Sequence, residues 1–173
     1  EDADCVFRLR EILAAKLEGD RLADLFEKVE MPLIPVLAAM ERAGVKIDTK
    51  ILGQLSRECD RELEKLSKDI YSEAGTEFNI NSTKQLAEIL FEKLRLPKIK
   101  RTKTGFSTDT SVLEKLGETH TLPRLLLEYR EKAKLKSTYL DALPEMIHPE
   151  TGLIHTSFNQ TTTSTGRLSS TEP

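Results

Sequence analysis

Apolar residues along much of this chain recur at steps of three and four, the spacing of a helix with one buried face. Residues 49–74 show it most clearly: Leu52, Leu55, Cys59, Leu63, Leu66 and Ile70 follow at steps of 3, 4, 4, 3 and 4. One narrow apolar seam results, with charge on the remaining faces. The spacing predicts a long helix that serves as a hairpin arm or a local coiled coil, closed by Gly75. Residues 3–17 carry Val6, Leu9, Leu13 and Leu17 and read as an earlier helix ended by Gly19-Asp20. A second helical run covers about 21–43, with Pro32 and Pro35 inside it. Proline removes an amide donor and crowds the preceding turn, so a kink or break near residue 31 is predicted. Gly44 suits the position just past that helix, and Val45 to Asp48 alternates as a short strand would.

Further on, Ser82 with Gln85 three residues later forms a capping-box pattern and predicts a helix over about 83–94. Residues 95–107 read as loop, with Pro97, Gly105 and many cations. A short helix is predicted over about 109–117, with Ser107 or Asp109 as its cap, and another over 122–140, with Pro123 in its first turn. Pro144 and Pro149-Glu-Thr-Gly152 mark turns, and Leu153, His155 and Ser157 alternate as a strand does. The chain is therefore read as mainly α, an elongated helical body with a long antiparallel helical arm and a short β segment at the C-terminus.

Composition narrows the function classes. With 173 residues there is room for one or two compact units. A net charge of −3 provides no global attraction for a polyanion, so any nucleic-acid site must be a local patch. No apolar run reaches the roughly 18–20 residues of a membrane span. The opening Glu-Asp-Ala-Asp lacks a basic, apolar leader. Cys5 and Cys59 have neither metal nor redox spacing. Both fall in amphipathic patterns, so buried reduced thiols and a cytoplasmic setting are expected.

Four features carry chemistry. Arg95, Lys98, Lys100, Arg101 and Lys103 fall within nine residues with no acid among them, interleaved with Thr102, Thr104, Ser107 and Thr108. Cations, hydroxyls and free amides are what phosphate contact needs; a solvated loop has the same composition. The helix start at Asn81-Ser82-Thr83-Lys84 places a cation against the helix dipole, which an anion would relieve; an ordinary cap is the plainer account. Arg130, Lys132, Lys134, Lys136, Ser137 and Thr138 form a basic stretch, with Lys134 and Thr138 one turn apart. Finally, five hydroxyl residues from Thr161 to Thr165 precede Gly166, Arg167, Leu168 and two serines. Small hydroxyls permit close approach to a polyanionic backbone, and one guanidinium fork is left to reach beyond it. His120, His148 and His155 are scattered, and no hydrolytic triad, phosphate loop or zinc motif is present.

Four segments together resemble the family-A polymerases, the bacterial DNA polymerase I family. They are Glu30-Met-Pro-Leu-Ile-Pro-Val-Leu, Phe78-Asn-Ile-Asn-Ser-Thr-Lys-Gln-Leu, Leu127-Glu-Tyr-Arg-Glu-Lys-Ala-Lys-Leu-Lys-Ser-Thr-Tyr, and the Thr-Gly-Arg-Leu-Ser-Ser tail. The resemblance implies that residues 1–20 are the last helix of a 3′–5′ exonuclease-like domain, 21–147 a thumb, and 148–173 the start of a palm. It implies that Asn81, Ser82, Thr83, Lys84 and Gln85, with Lys100, Arg101 and Lys103, hold backbone phosphates of primer–template duplex DNA. Lys134, Lys136, Ser137 and Thr138 would continue that track. Asn159, Gln160 and Arg167 would sit near the primer terminus, Arg167 in the minor groove, where acceptors lie at similar positions for every base pair.

Asp2 would be an exonuclease-like metal ligand. The polymerase's Mg2+ ligands and its deoxynucleoside triphosphate site are expected downstream of Pro173. The chain alone is thus expected to bind no cofactor, to catalyse no nucleotidyl transfer and to be monomeric, in a parent that is cytoplasmic and nucleoid-associated with no membrane contact. The competing reading is a helical protein-interaction module that uses the 49–74 seam. A standalone nuclease fails, because one acidic motif cannot build a two-metal site.

Overall fold

The computed structural model describes residues 2–102 and 105–171, apart from the Asp2 side chain. Helices dominate: α1 (Asp2–Gly19), α2 (Ala23–Leu25), α3 (Met31–Ala43), α4 (Thr49–Ala74), α5 (Thr83–Glu88), α6 (Thr110–Gly117), α7 (Thr121–Leu135) and α8 (Ala142–Glu145). Two short antiparallel pairs complete the described residues, β1 (Arg101–Thr102) with β2 (Gly105–Phe106), and β3 (Ser157–Asn159) with β4 (Ser169–Thr171). The chain divides into two compact units, one of residues 1–47 with 146–173 and one of residues 48–145.

The 48–145 unit is built on the seam of α4. Asp48 caps that helix, its carboxylate accepting from the Lys50 and Ile51 amides. Gly75 ends it in the left-handed region, with φ 64°. Helix α7 runs antiparallel along it. Cys59 Sγ donates to the Lys132 carbonyl at 3.4 Å, and Lys132 pairs with Glu62 at 2.6 Å. Cys59, Leu66 and Ile70 of the seam are buried, with Ile70, Leu86, Leu90, Leu113 and Leu126 at 0% exposure. Burial, and then the nearby Glu62, push the Cys59 thiol up from its ordinary pKa.

Three helical runs contain a π turn: Phe26–Glu30, Ile89–Lys93 and Lys136–Leu140. In each, the next amide reaches back five residues, as Met31 N–H does to the Phe26 carbonyl. The first takes the place of the predicted break near residue 31. Pro32, at the start of α3, has no amide to donate and needs room against the preceding turn, and a widened turn provides that room. Pro35 then lies inside α3, with the helix continuing past it to Ala43.

The other unit has fewer buried side chains. Leu37 of α3 and Ile154 are buried, and Val45 and Ile154 exchange backbone hydrogen bonds of 2.8 and 2.9 Å. Val6, Leu9 and Leu13 of α1 are 50–68% exposed, so the seam predicted for residues 3–17 is helical but uncovered. Cys5 is exposed, against the expectation of a buried thiol. An unpaired strand edge after about residue 156 would be mobile or would seek a neighbouring molecule, but the chain folds back so that Phe158 faces Ser170.

Candidate nucleic-acid interface

Helix α5 begins at Ser82, whose hydroxyl accepts from the Gln85 amide at 3.4 Å. The capping box is not reciprocal. Gln85 Oε1 accepts instead from the Asn79 amide at 2.7 Å, and the Ser82 amide donates to the Asn79 carbonyl. Asn79 thus closes a tighter turn, which leaves Asn81, Thr83 and Lys84 exposed on its outer side.

Those residues form one wall of a groove of about 940 Å³. Its lining also includes Ala87, Glu88 and Glu92, Thr102, the stretch from Gly105 to Asp109, and Arg130 of α7. The elements meet because Arg130 is anchored. Its Nη1 donates to the Thr108 carbonyl, and its Nη2 to Thr108 Oγ1 at 3.4 Å. Burial pulls the Arg130 pKa down and the nearby Asp109 pushes it up, in that order of size; guanidinium stays charged throughout. The groove therefore presents ammonium, guanidinium and hydroxyl donors, with the carboxylates of Glu88, Glu92 and Asp109 also in its lining, beside Gly105, which among the described residues has no atom within 4 Å of where a Cβ would lie. Such a surface can take phosphate oxygens.

A family model for DNA polymerase family A matches residues 49–173. The chain belongs to this family. It is 48% identical over 171 residues to DNA polymerase I of Geobacillus stearothermophilus, covering 99% of this chain and 20% of that protein. It is 50% identical over 169 residues to the thermostable DNA polymerase I of Thermus aquaticus, covering 96% of this chain and 20% of the relative. Among solved structures it is similar to the POL domain of Pol1 from M. smegmatis in complex with DNA primer-template and dNTP. That match has a TM-score of 0.86 and 39% identity over 97% of this chain and 30% of the other. The chain thus spans about one fifth of the length of these family-A relatives.

Within this family-A chain the predicted contact residues fall into three groups. Asn81, Thr83 and Lys84 line the groove, with Ser82 and Gln85 in the cap behind them. Arg101, Lys134, Ser137 and Thr138 are exposed, and Lys84, Arg101 and Lys134 form no ion pair among the described residues. Others are already engaged. Lys100 pairs with Asp109 at 2.6 Å, and Lys98 pairs with Glu92 while lying 4.7 Å above the Phe106 ring. Lys136, with a side chain only 19% exposed, is held by Asp141 at 2.7 Å and Asp60 at 3.4 Å and donates to Ser56. In the other unit, Gln160 Nε2 donates to the Glu30 carbonyl and carboxylate, Asn159 lies in β3 opposite Ser169, and Arg167 is exposed. Lys103 and the Asp2 side chain lie outside the described residues.

Arg130, Thr108 and Phe106 are groove residues that the linear pattern ranks below their neighbours. Arg130 appears there only as one member of a basic stretch. Its distance of 22 positions from Thr108 hides their contact.

The same ion pairs set an acid limit. The Asp109 carboxyl is held well below the usual carboxylate range, chiefly by the hydrogen bond from Lys100, then by Val112 N–H and Ser111. Asp141 is lowered chiefly by Lys136, then by Ser56. A carboxyl depressed in the folded state contributes stability above its unfolded value, near 3.9, and loses it as pH falls through the folded value. Urea midpoints of the 48–145 unit should hold steady from pH 7 to about 5 and drop below about pH 4, with a shallower drop in Asp141→Asn.

Proposed function

We propose that this chain is the duplex-gripping part of a DNA-directed DNA polymerase, with residues 21–147 as thumb, 1–20 as the end of an exonuclease-like domain and 148–173 as the start of the palm. The groove carries the proposal. It gathers Asn81, Thr83, Lys84 and Arg130 around the Gly105 loop, in a family-A chain similar to a polymerase domain bound to DNA primer-template and dNTP. Lys84, Arg101 and Lys134, all exposed, would neutralise duplex phosphates and fix the register without reading sequence. Arg167 would add a minor-groove contact.

Engaged side chains have a different part. Lys136 and Lys100 hold the arm and the loop in shape, so they would act on DNA only indirectly. The longer protein would carry out template-directed nucleotidyl transfer in replication and repair, with magnesium and deoxynucleoside triphosphates. No group of three or more His, Cys, Asp or Glu side chains that could hold a metal stands together among the described residues. No described helix is long and apolar enough to cross a membrane.

The alternative, a protein-interaction module on the 49–74 seam, would have to work from Leu55, which is exposed, because Cys59, Leu66 and Ile70 are buried within the chain's own unit. A fluorescence-anisotropy titration with labelled primer–template duplex is the direct test. The log of the affinity should fall against log salt with a slope of about −4, from roughly four or five phosphate contacts. No binding at low salt would reject the grip as an activity of this chain.

A further inference from the structure

Between β3 and β4 the chain forms a hairpin loop that carries Gly166 and Arg167. A two-stranded hairpin is marginal by itself, so something must hold it. Within its unit that support comes largely from one residue of α3. The Glu41 carbonyl is 2.8 Å from His155 Nδ1, and a carbonyl can only accept, so Nδ1 carries the proton. The Glu41 carboxylate accepts the Phe158 amide at 2.7 Å. Both contacts are half-buried and bridge more than 110 positions of sequence. Gly44 makes room for them: at φ 67°, a Cβ there would lie 2.7 Å from the His155 ring. Immediately before α3, Glu30 takes the Gln160 side chain in the same manner, at 2.6 Å.

We propose that Glu41 is a positioning residue for the Arg167 hairpin, fixing His155, in the segment leading into β3, through its carbonyl and the middle of β3 through its carboxylate. The role rests on the reading that Arg167 contacts duplex DNA. Glu41 itself faces the Phe158 backbone, and its negative charge gives it no reason to meet a phosphate. Its effect on DNA binding would pass entirely through the order of the strand. A glutamine at position 41 keeps the accepting oxygen and should keep the function, whereas alanine removes it.

The test uses this chain and a labelled primer–template duplex, with Arg167→Ala as the reference. Glu41→Ala should weaken binding by roughly fivefold, about what one net hydrogen bond is worth. Glu41→Gln should restore most of it. In parallel, the Phe158 amide should exchange faster with solvent in Glu41→Ala and remain protected in Glu41→Gln, with Val45 and Ile154 unchanged. Should Glu41→Ala unfold the unit, Glu41→Asp, which shortens the reach, decides in its place and should show the same loss. If Arg167→Ala weakens binding while Glu41→Ala (or its substitute) binds as the parent chain does, the positioning role is wrong. Equal loss in Glu41→Gln and Glu41→Ala would also overturn it. If Arg167→Ala leaves the affinity unchanged, the DNA contact of the hairpin fails, and the role of Glu41 with it.

Discussion

Leu126→Ala should lower the unfolding free energy of the 48–145 unit by about 2–5 kcal/mol. Leu126 is at 0% exposure in a cluster that includes Ile70, Leu86, Leu90, Leu113 and Leu116. Removing its branched end loses the transfer energy of the buried carbons and leaves a cavity that α4, α6 and α7 cannot close without moving together. Small domains hold about 5–15 kcal/mol in total, so this one change removes a large share of the margin. Urea denaturation followed by circular dichroism measures it. Leu135→Ala, nine positions along at the end of the same helix and 48% exposed, serves as the control and should stay within about 0.5 kcal/mol. Equal losses at the two sites would mean that the cluster is not the core.

The second large effect falls on DNA. Replacing Lys84, Arg101 and Lys134 together by glutamine should reduce the salt slope of duplex binding by about 3, since each lost phosphate contact removes roughly 0.9. The remaining slope would be near −1, and binding at low salt would nearly vanish. These three are chosen because they are exposed and form no ion pair among the described residues. The matched control is Lys98→Gln, whose ammonium is spent on Glu92 and the Phe106 ring. It should leave the slope close to the parent value. A triple variant with an unchanged slope would remove the groove and the basic helix end from the DNA surface.

Much of the fold was legible because helices announce themselves locally. The six seam positions from Leu52 to Ile70 predicted a helix over 49–74, and α4 occupies Thr49–Ala74. Asp109 was one of two candidate caps and is the one used, with Ser107 supporting its amide. What failed depends on partners distant in sequence. The spacing of Val6, Leu9 and Leu13 predicts an apolar face but says nothing of what covers it. The cationic run from Arg95 to Lys103 looks like one patch, yet Lys98 and Lys100 are paired with acids six and nine positions away. Lys136 looks like its neighbour Lys134 until α4 brings Asp60 and Ser56 beside it. The Gln160 amide is taken up by Glu30, 130 positions earlier, a contact the linear pattern does not show. The π turns leave no mark on the apolar spacing, because one extra residue per turn is within its tolerance.

The π turn at Lys136–Leu140 lets this segment carry one residue more than an ordinary helix would. In a regular helix the fifth residue onward points about 140° away, too far for an ion pair, whereas the wider turn brings Asp141 back over Lys136. A relative with one residue fewer here would regain an ordinary helix with its aspartate four positions from the lysine, about 40° round the axis and still able to pair with it. Along this stretch a single-codon deletion is therefore absorbed by the loss of the wide turn, and relatives one residue shorter here keep the ion pair.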